Sequence, residues 1–190
     1  MLSQEQRATL LRPINPSRVL EAKGQSHLPA FDVVAHLTRI FGFEGWDKEI
    51  LDLWLISDQA HEPTTPSGKF RYTVTYGCKM RLTIYALPDW NANERIKVKV
   101  IDEAATGSAQ NLPSYPDAHD FAMKNSVSYA LKRCAKDLGD QFGLSLYNRG
   151  ETDALVQKVV AYGLPSDKGD WRITEPKTLG NDEREEPADT

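Results

Sequence analysis

The stretch Phe70-Arg71-Tyr72-Thr73-Val74-Thr75-Tyr76-Gly77-Cys78-Lys79-Met80-Arg81-Leu82-Thr83-Ile84 decides the fold. Its apolar residues, with Tyr72, Tyr76 and Cys78 among them, fall on every second position, and Arg71, Thr73, Thr75, Gly77, Lys79, Arg81 and Thr83 fill the gaps. Successive side chains of an extended chain point to opposite faces, so this period of two predicts a long strand with one face buried. Downstream, Pro88-Asp89-Trp90-Asn91 reads as a turn. A shorter strand follows over 95–101, where Ile96, Val98 and Val100 alternate with Arg95, Lys97 and Lys99. Upstream, residues 46–57 fit a helix or a strand. A strand is preferred, because Trp46, Ile50, Trp54 and Ile56 suit a surface buried on two sides.

Helices flank these strands. Ser3 followed by Gln6 has the spacing of a capping box and opens a helix over 4–12 that stops before Pro13. Residues 13–28 read as an irregular connector. Ala30, Val33, Val34, Leu37 and Ile40 repeat at helical spacing from near Pro29, and Gly42 suits the end of that helix. Phe41-Gly42-Phe43-Glu44-Gly45-Trp46 then turns the chain, with its aromatic residues available to bury the corner. A Pro/Gly/Ser/Asn-rich loop is expected over 106–116. Asp117 can cap a long helix to Leu138, with Asp120 in its first turn, Phe121, Leu131, Cys134 and Leu138 on its apolar face, and Lys132, Arg133 and Lys136 near its end.

The order α-α-β-β-β-α predicts an α+β fold: an antiparallel three-stranded sheet, with a long β-hairpin, packed against helices. Residues 1–150 are expected to form the core domain. Residues 151–190 divide into a short helix over 152–162 and, from Pro165, an acidic disordered tail.

A chain of 190 residues with 40% hydrophobic residues can bury a core without metal or disulfides. Two cysteines, Cys78 and Cys134, are too few for a disulfide scaffold or a structural zinc site and read as small buried hydrophobes. No apolar run approaches the roughly 20 residues that span a bilayer, and Met1 opens a polar helix, so a soluble intracellular protein is expected. The net charge of −4 conceals an asymmetry: residues 151–190 carry 10 acidic and 5 basic residues, leaving 17 acidic and 18 basic in the first 150.

Catalytic patterns are missing. His27, His36, His61 and His119 are scattered, with no second ligand at metal-binding spacing. There is no P-loop, no GxGxxG after a strand and no GxSxG; Gly139 to Gly143 ends a helix, and Asp117 and Asp120 cap one. Neither enzymatic activity nor a cofactor or metal is expected.

Cations are more informative. Arg71, Lys79 and Arg81 point away from the apolar stripe, and by the same alternation so do Arg95, Lys97 and Lys99. Six cations on one face repel each other unless solvent, Asp47, Glu49 and Asp52, or bound phosphates neutralise them. Lys124, Lys132 and Lys136 fall within about 120° on the last long helix, with Arg133 at the edge.

Arg18 in Pro-Ser-Arg-Val, Gly24-Gln25, the Phe-Gly-Phe-Glu-Gly-Trp corner, Gly68-Lys69-Phe70 and Ala130-Leu131-Lys132-Arg133 occur in that order. Together they resemble the amino-terminal annealing domain of the Rad52 family of recombination proteins, over about residues 10–147. The resemblance implies binding of single-stranded DNA, annealing of complementary strands without ATP, and assembly into homo-oligomeric rings. Members hold DNA chiefly by its backbone, in a groove between a helical base and a β-hairpin region. By position, Arg18, Lys132 and Arg133 correspond to the main strand-binding cations, Lys136 to another basic position on the same helix, and Lys69 to a secondary DNA site that Arg71, Lys79, Arg81, Arg95, Lys97, Lys99 and Lys124 would extend.

Two departures stand out. Gln110-Asn111-Leu112-Pro113-Ser114-Tyr115 replaces a lysine-rich stretch of the family, and the turn at 87–93 is longer than usual. The compact length suggests a bacterial or phage member, DNA-associated in the cytoplasm, with a recombinase or a single-strand-binding protein as a candidate partner. Tyr72, Tyr76 and Trp46 are assigned to the core, which leaves Trp90 as the aromatic open to base contact. Two other readings fit the element order: a double-stranded RNA-binding module, disfavoured because Asp117 and Asp120 occupy the helix start where that module carries lysines, and an oligomeric scaffold for an acidic protein.

Overall fold

Three long strands, β3 (Trp46–His61), β4 (Arg71–Tyr85) and β5 (Lys97–Leu112), form an antiparallel sheet with β4 in the centre. The computed structural model describes residues 1–22, 24–63, 65, 68–86 and 95–159, and Met1–Gln157 make up one compact unit. On β4 the alternation holds: Val74, Cys78, Met80, Leu82 and Ile84 are buried and Tyr72 and Tyr76 half-buried. Phe70 precedes the strand and is exposed.

The loop expected over 106–116 is largely strand, since β5 continues to Leu112. Composition misled here, because Ala104-Ala105-Thr106-Gly107-Ser108-Ala109 is small for packing rather than for turning. Helix α3 (Tyr115–Lys136) lies across β4 and β5 on a stripe of Ala118, Ala122, Ser126, Ala130 and Cys134, every fourth residue and all buried. A Cβ on Gly107 would stand 2.1 Å from the Ser126 backbone nitrogen, so helix and strand approach as closely as a glycine allows. This seam replaces the expected apolar face: Leu131 and Cys134 are buried, whereas Phe121 is 53% exposed. Ser114 caps α3, its Oγ accepting from the Asp117 amide, so Asp117 belongs to the first turn and is not the cap.

Helix α1 (Gln4–Leu10) has the capping box between Ser3 and Gln6. The connector expected over 13–28 contains a 3-10 turn (Pro16–Arg18) and a small hairpin, β1 (Leu20–Ala22) with β2 (Gln25–His27). Gly24, with φ of 72°, makes its tight turn possible. Helix α2 (Ala30–Phe41) buries Val33, Leu37 and Phe41 against the sheet core. In the corner that follows, Trp46 is half-buried and its Nε1 donates to Thr38 Oγ1. Phe43, expected to help bury the corner, is 91% exposed.

Strand β3 departs from the two-sided burial expected of it. It is an edge strand that exposes Ile50, Leu55 and Ile56. After α3, a 3-10 turn at Asp140–Phe142 is bracketed by Gly139 and Gly143, both at positive φ, and a second spans Ser145–Tyr147. The helix expected over 152–162 is not formed in its described part, 152–159, where the Val156 amide instead donates to the buried Asp140 carboxylate. The turn at 88–91 with Trp90, residues 160–162 of that expected helix, and the tail from Pro165 lie outside the described residues.

Candidate nucleic-acid interface

The last turns of α3 carry Lys132, Arg133 and Lys136, at the helix end where the backbone dipole favours positive charge. Each is engaged differently. Lys132 is half-buried with its ammonium 4.6 Å from the centre of the Tyr129 ring, and burial pushes its pKa below the usual lysine value. Arg133 is exposed and donates to the Ala104 carbonyl on β5 at 2.7 Å, and it forms no salt bridge among the described residues. Lys136 pairs with Asp137 at 2.7 Å, which raises its pKa, and also sits 5.7 Å from the Tyr147 ring centre.

Beside Lys132 a recess of about 760 Å³ opens between the β1–β2 hairpin and the chain that follows α3. Leu28, Val33, Phe142 and Leu146 form apolar parts of its wall, and Tyr129 and Tyr147 add aromatic surface. Lys132 and Arg149 supply positive charge, and no carboxylate lines it among the described residues.

Arg18 lies beneath this region, enclosed in a polar network. Its guanidinium donates to both Asp32 carboxylate oxygens at 2.8–3.1 Å and to Gln141 Oε1, and its side chain is only 12% exposed. Gln141 uses its full hydrogen-bonding capacity: Oε1 accepts from Arg18 and His36, and Nε2 donates to the carbonyls of Arg12 and Pro13. Arg39 donates to His36 Nδ1, which requires that nitrogen to be unprotonated and assigns the proton to Nε2. Burial and the Arg18 charge hold the His36 pKa down to about 4. Arg18 therefore ties the N-terminal connector, α2 and the turn after α3 into one wall.

The expected six-cation face does not form. Arg81 donates twice to Asp102 at 2.7 Å, and Arg95 pairs with Asp47 at 2.7 Å while lying over Tyr85. Each of these carboxylates holds its partner's pKa up. Lys79 stands opposite Asp52 in the strand register. A register slip between Ile84 and Tyr85 puts Lys97 opposite Tyr85, whereas Lys99 stands opposite Ile84 in the same register that sets Ile101 against Leu82, and its ammonium donates to the Asp137 carbonyl at the end of α3. Lys99 thus joins the helix end instead of the outer face. Arg71 donates to the Asn111 carbonyl, Lys124 is paired with Asp120, and Lys69 is exposed ahead of β4.

Sequence reasoning missed Tyr129, Tyr147 and Gln141. Tyr129 carried a usable signal, since it precedes Lys132 by one helical turn. Gln141 carried none, because its four partners come from distant segments.

Fold and site together define an α+β domain whose long helix ends in a basic, aromatic-lined recess. Residues 4–162 match the model of the Rad52/22 family double-strand break repair proteins. Over 111 residues, 58% of this chain, the sequence is 31% identical to the DNA repair and recombination protein RAD52 of Candida glabrata, and the match covers 18% of that protein's length. The chain belongs to the Rad52/22 family.

Proposed function

We propose that this domain binds single-stranded DNA and anneals complementary strands in double-strand break repair, as a non-enzymatic and ATP-independent assembly of several copies. The observation that carries this reading is the pair Lys132 and Arg133, two cations without a carboxylate partner among the described residues, at the end of α3 beside a recess that no described acid lines. Cations spaced along one helix hold phosphates without reading sequence, which an annealer needs if base edges are to test complementarity. Duplex formation gains about 1.4 kcal/mol per stacked step, so pairing supplies its own driving force. Family membership and the RAD52 relative support the same role. Exposed Ile50, Leu55 and Ile56 on the edge strand β3 offer apolar surface for self-association, so that many weak sites in register bind one strand tightly.

Fluorescence anisotropy with mixed-sequence single-stranded DNA tests this. Three phosphate contacts per protomer predict a salt slope of about −2 for each protomer engaged, or about 20-fold weaker binding between 50 and 200 mM salt. Absence of binding at low salt overturns the reading.

A further inference from the structure

We propose that Asp32 limits the affinity of this domain for a strand: by pairing with Arg18 it withholds from the bound phosphates a cation that stands just behind the wall of the recess. This rests on the strand-binding reading and goes beyond it, because it names an acid that works against binding.

Three segments place the pair. Arg18 ends the 3-10 turn that leads into the β1–β2 hairpin, whose Ala22 and Gln25 line the recess. Asp32 lies in the first turn of α2, next to Val33 of the wall, and Gln141 lies next to Phe142 of the wall. Neighbouring Cα atoms are about 3.8 Å apart, so both partners of Arg18 stand close behind that surface. A charge acts over roughly 10 Å at 0.1 M salt, which brings a guanidinium bonded to both within reach of a phosphate beside Lys132.

The hydrogen bonds show what Asp32 takes and what it leaves. Arg18 donates from Nε and Nη2 to the Asp32 carboxylate and from Nη1 to Gln141 Oε1, at 2.8–3.2 Å. A guanidinium has five N–H bonds, so two remain, and neither has an acceptor among the described residues. Charge, rather than hydrogen-bonding capacity, is therefore what the pair lacks. Its side chains are only 12% and 16% exposed, so water screens the pairing less than at the surface pairs of the sheet. At His36 the two charges oppose each other, Arg18 lowering the pKa and Asp32 raising it. Gln141 is neutral and holds the guanidinium separately, so Asp32→Asn removes the opposing charge while Arg18 keeps an anchor. The consequence for annealing is concrete: a strand held by one cation fewer leaves more readily for the duplex.

The test titrates the full chain with mixed-sequence single-stranded DNA by anisotropy at several salt concentrations. Asp32→Asn should bind about eightfold more tightly near 50 mM salt and steepen the salt slope by about 0.7 per protomer, the effect of one added phosphate contact. Arg18→Gln with Asp32→Asn should return both readings to those of the parent, since the pair again carries no net charge. Asp102→Asn, which frees Arg81 on the sheet, should change neither. A gain that survives the loss of Arg18, or that Asp102→Asn matches, overturns the proposal. A folded Asp32→Asn protein that binds like the parent also overturns it and leaves strand binding standing. Absence of binding by the parent and by every variant defeats strand binding and the proposal together. Circular dichroism checks folding, and Asp32→Ser takes the same readings should Asp32→Asn unfold. Unfolding of both variants would assign Asp32 to the fold instead of the affinity and overturn the proposal.

Discussion

The cations of the sheet and the cations of the helix end look alike in the sequence and behave differently in the fold. Arg81 and Arg95 each meet a carboxylate, Asp102 and Asp47, at 2.7 Å. Lys132 and Arg133 meet a ring and a backbone carbonyl, and neither pairs with a carboxylate among the described residues. The number of positive residues on an element therefore says little about its capacity for phosphate. What counts is whether a neighbouring element brings an acid within reach, as β5 brings Asp102 to Arg81 and β3 brings Asp47 to Arg95.

The largest expected effect comes from disturbing the seat of the helix end. Gly107→Ala places a Cβ within 2.1 Å of the α3 backbone, which cannot yield as a flexible side chain would. Urea unfolding should show a loss of about 3 kcal/mol or more, and strand binding should weaken with it as α3 shifts. An unchanged midpoint would mean that α3 does not rest on β5 as described.

Next is the polar network under the recess. The His36 pKa is lowered from 6.5 to about 4, so between those values the unfolded chain binds the extra proton and the folded one does not. Stability from this group is therefore complete above pH 6.5 and declines as pH falls toward 4, by about 2 kcal/mol between pH 7 and pH 5. His36→Gln should show a pH 7 to pH 5 loss smaller by that amount in the same denaturation series; an identical loss in both proteins would discard the assignment. The sheet gives the smallest effect. Arg81→Ala with Asp102→Ala removes an exposed pair and should leave the urea midpoint close to that of the parent protein; a clear drop would contradict this.

Much of the fold was legible because one pattern dominates it. The alternation from Tyr72 to Ile84 fixed β4, the spacing of Val33 and Leu37 fixed α2, and Ser3 with Gln6 fixed the start of α1. The same reasoning failed at 104–109, where small residues signal a loop by composition but a close helix contact by structure. At the site, Lys132 and Arg133 were found through family resemblance and position on α3, and the structure adds why they matter: neither forms a salt bridge among the described residues. Arg18 was named as a strand-binding cation, yet Asp32, fourteen residues on, encloses it, a pairing that the irregular connector hides from any helical or strand period. Lys99 was misplaced because the regular register sets it, with Ile101, opposite the buried Ile84 and Leu82, so the alternation of β5 runs in the opposite phase to the one Val98 and Val100 suggest.

The central claim is that strand affinity resides at the helix end and not on the sheet. Salt-dependent anisotropy titrations of Lys132→Ala with Arg133→Ala, and of Arg81→Ala with Arg95→Ala, compare the two directly. The helix-end variant should lose about 1.4 from the magnitude of the salt slope per protomer, with binding weakened at every salt concentration, while the sheet variant keeps the parent slope. A sheet variant that loses as much as the helix-end variant, or a helix-end variant that binds like the parent, would contradict the account.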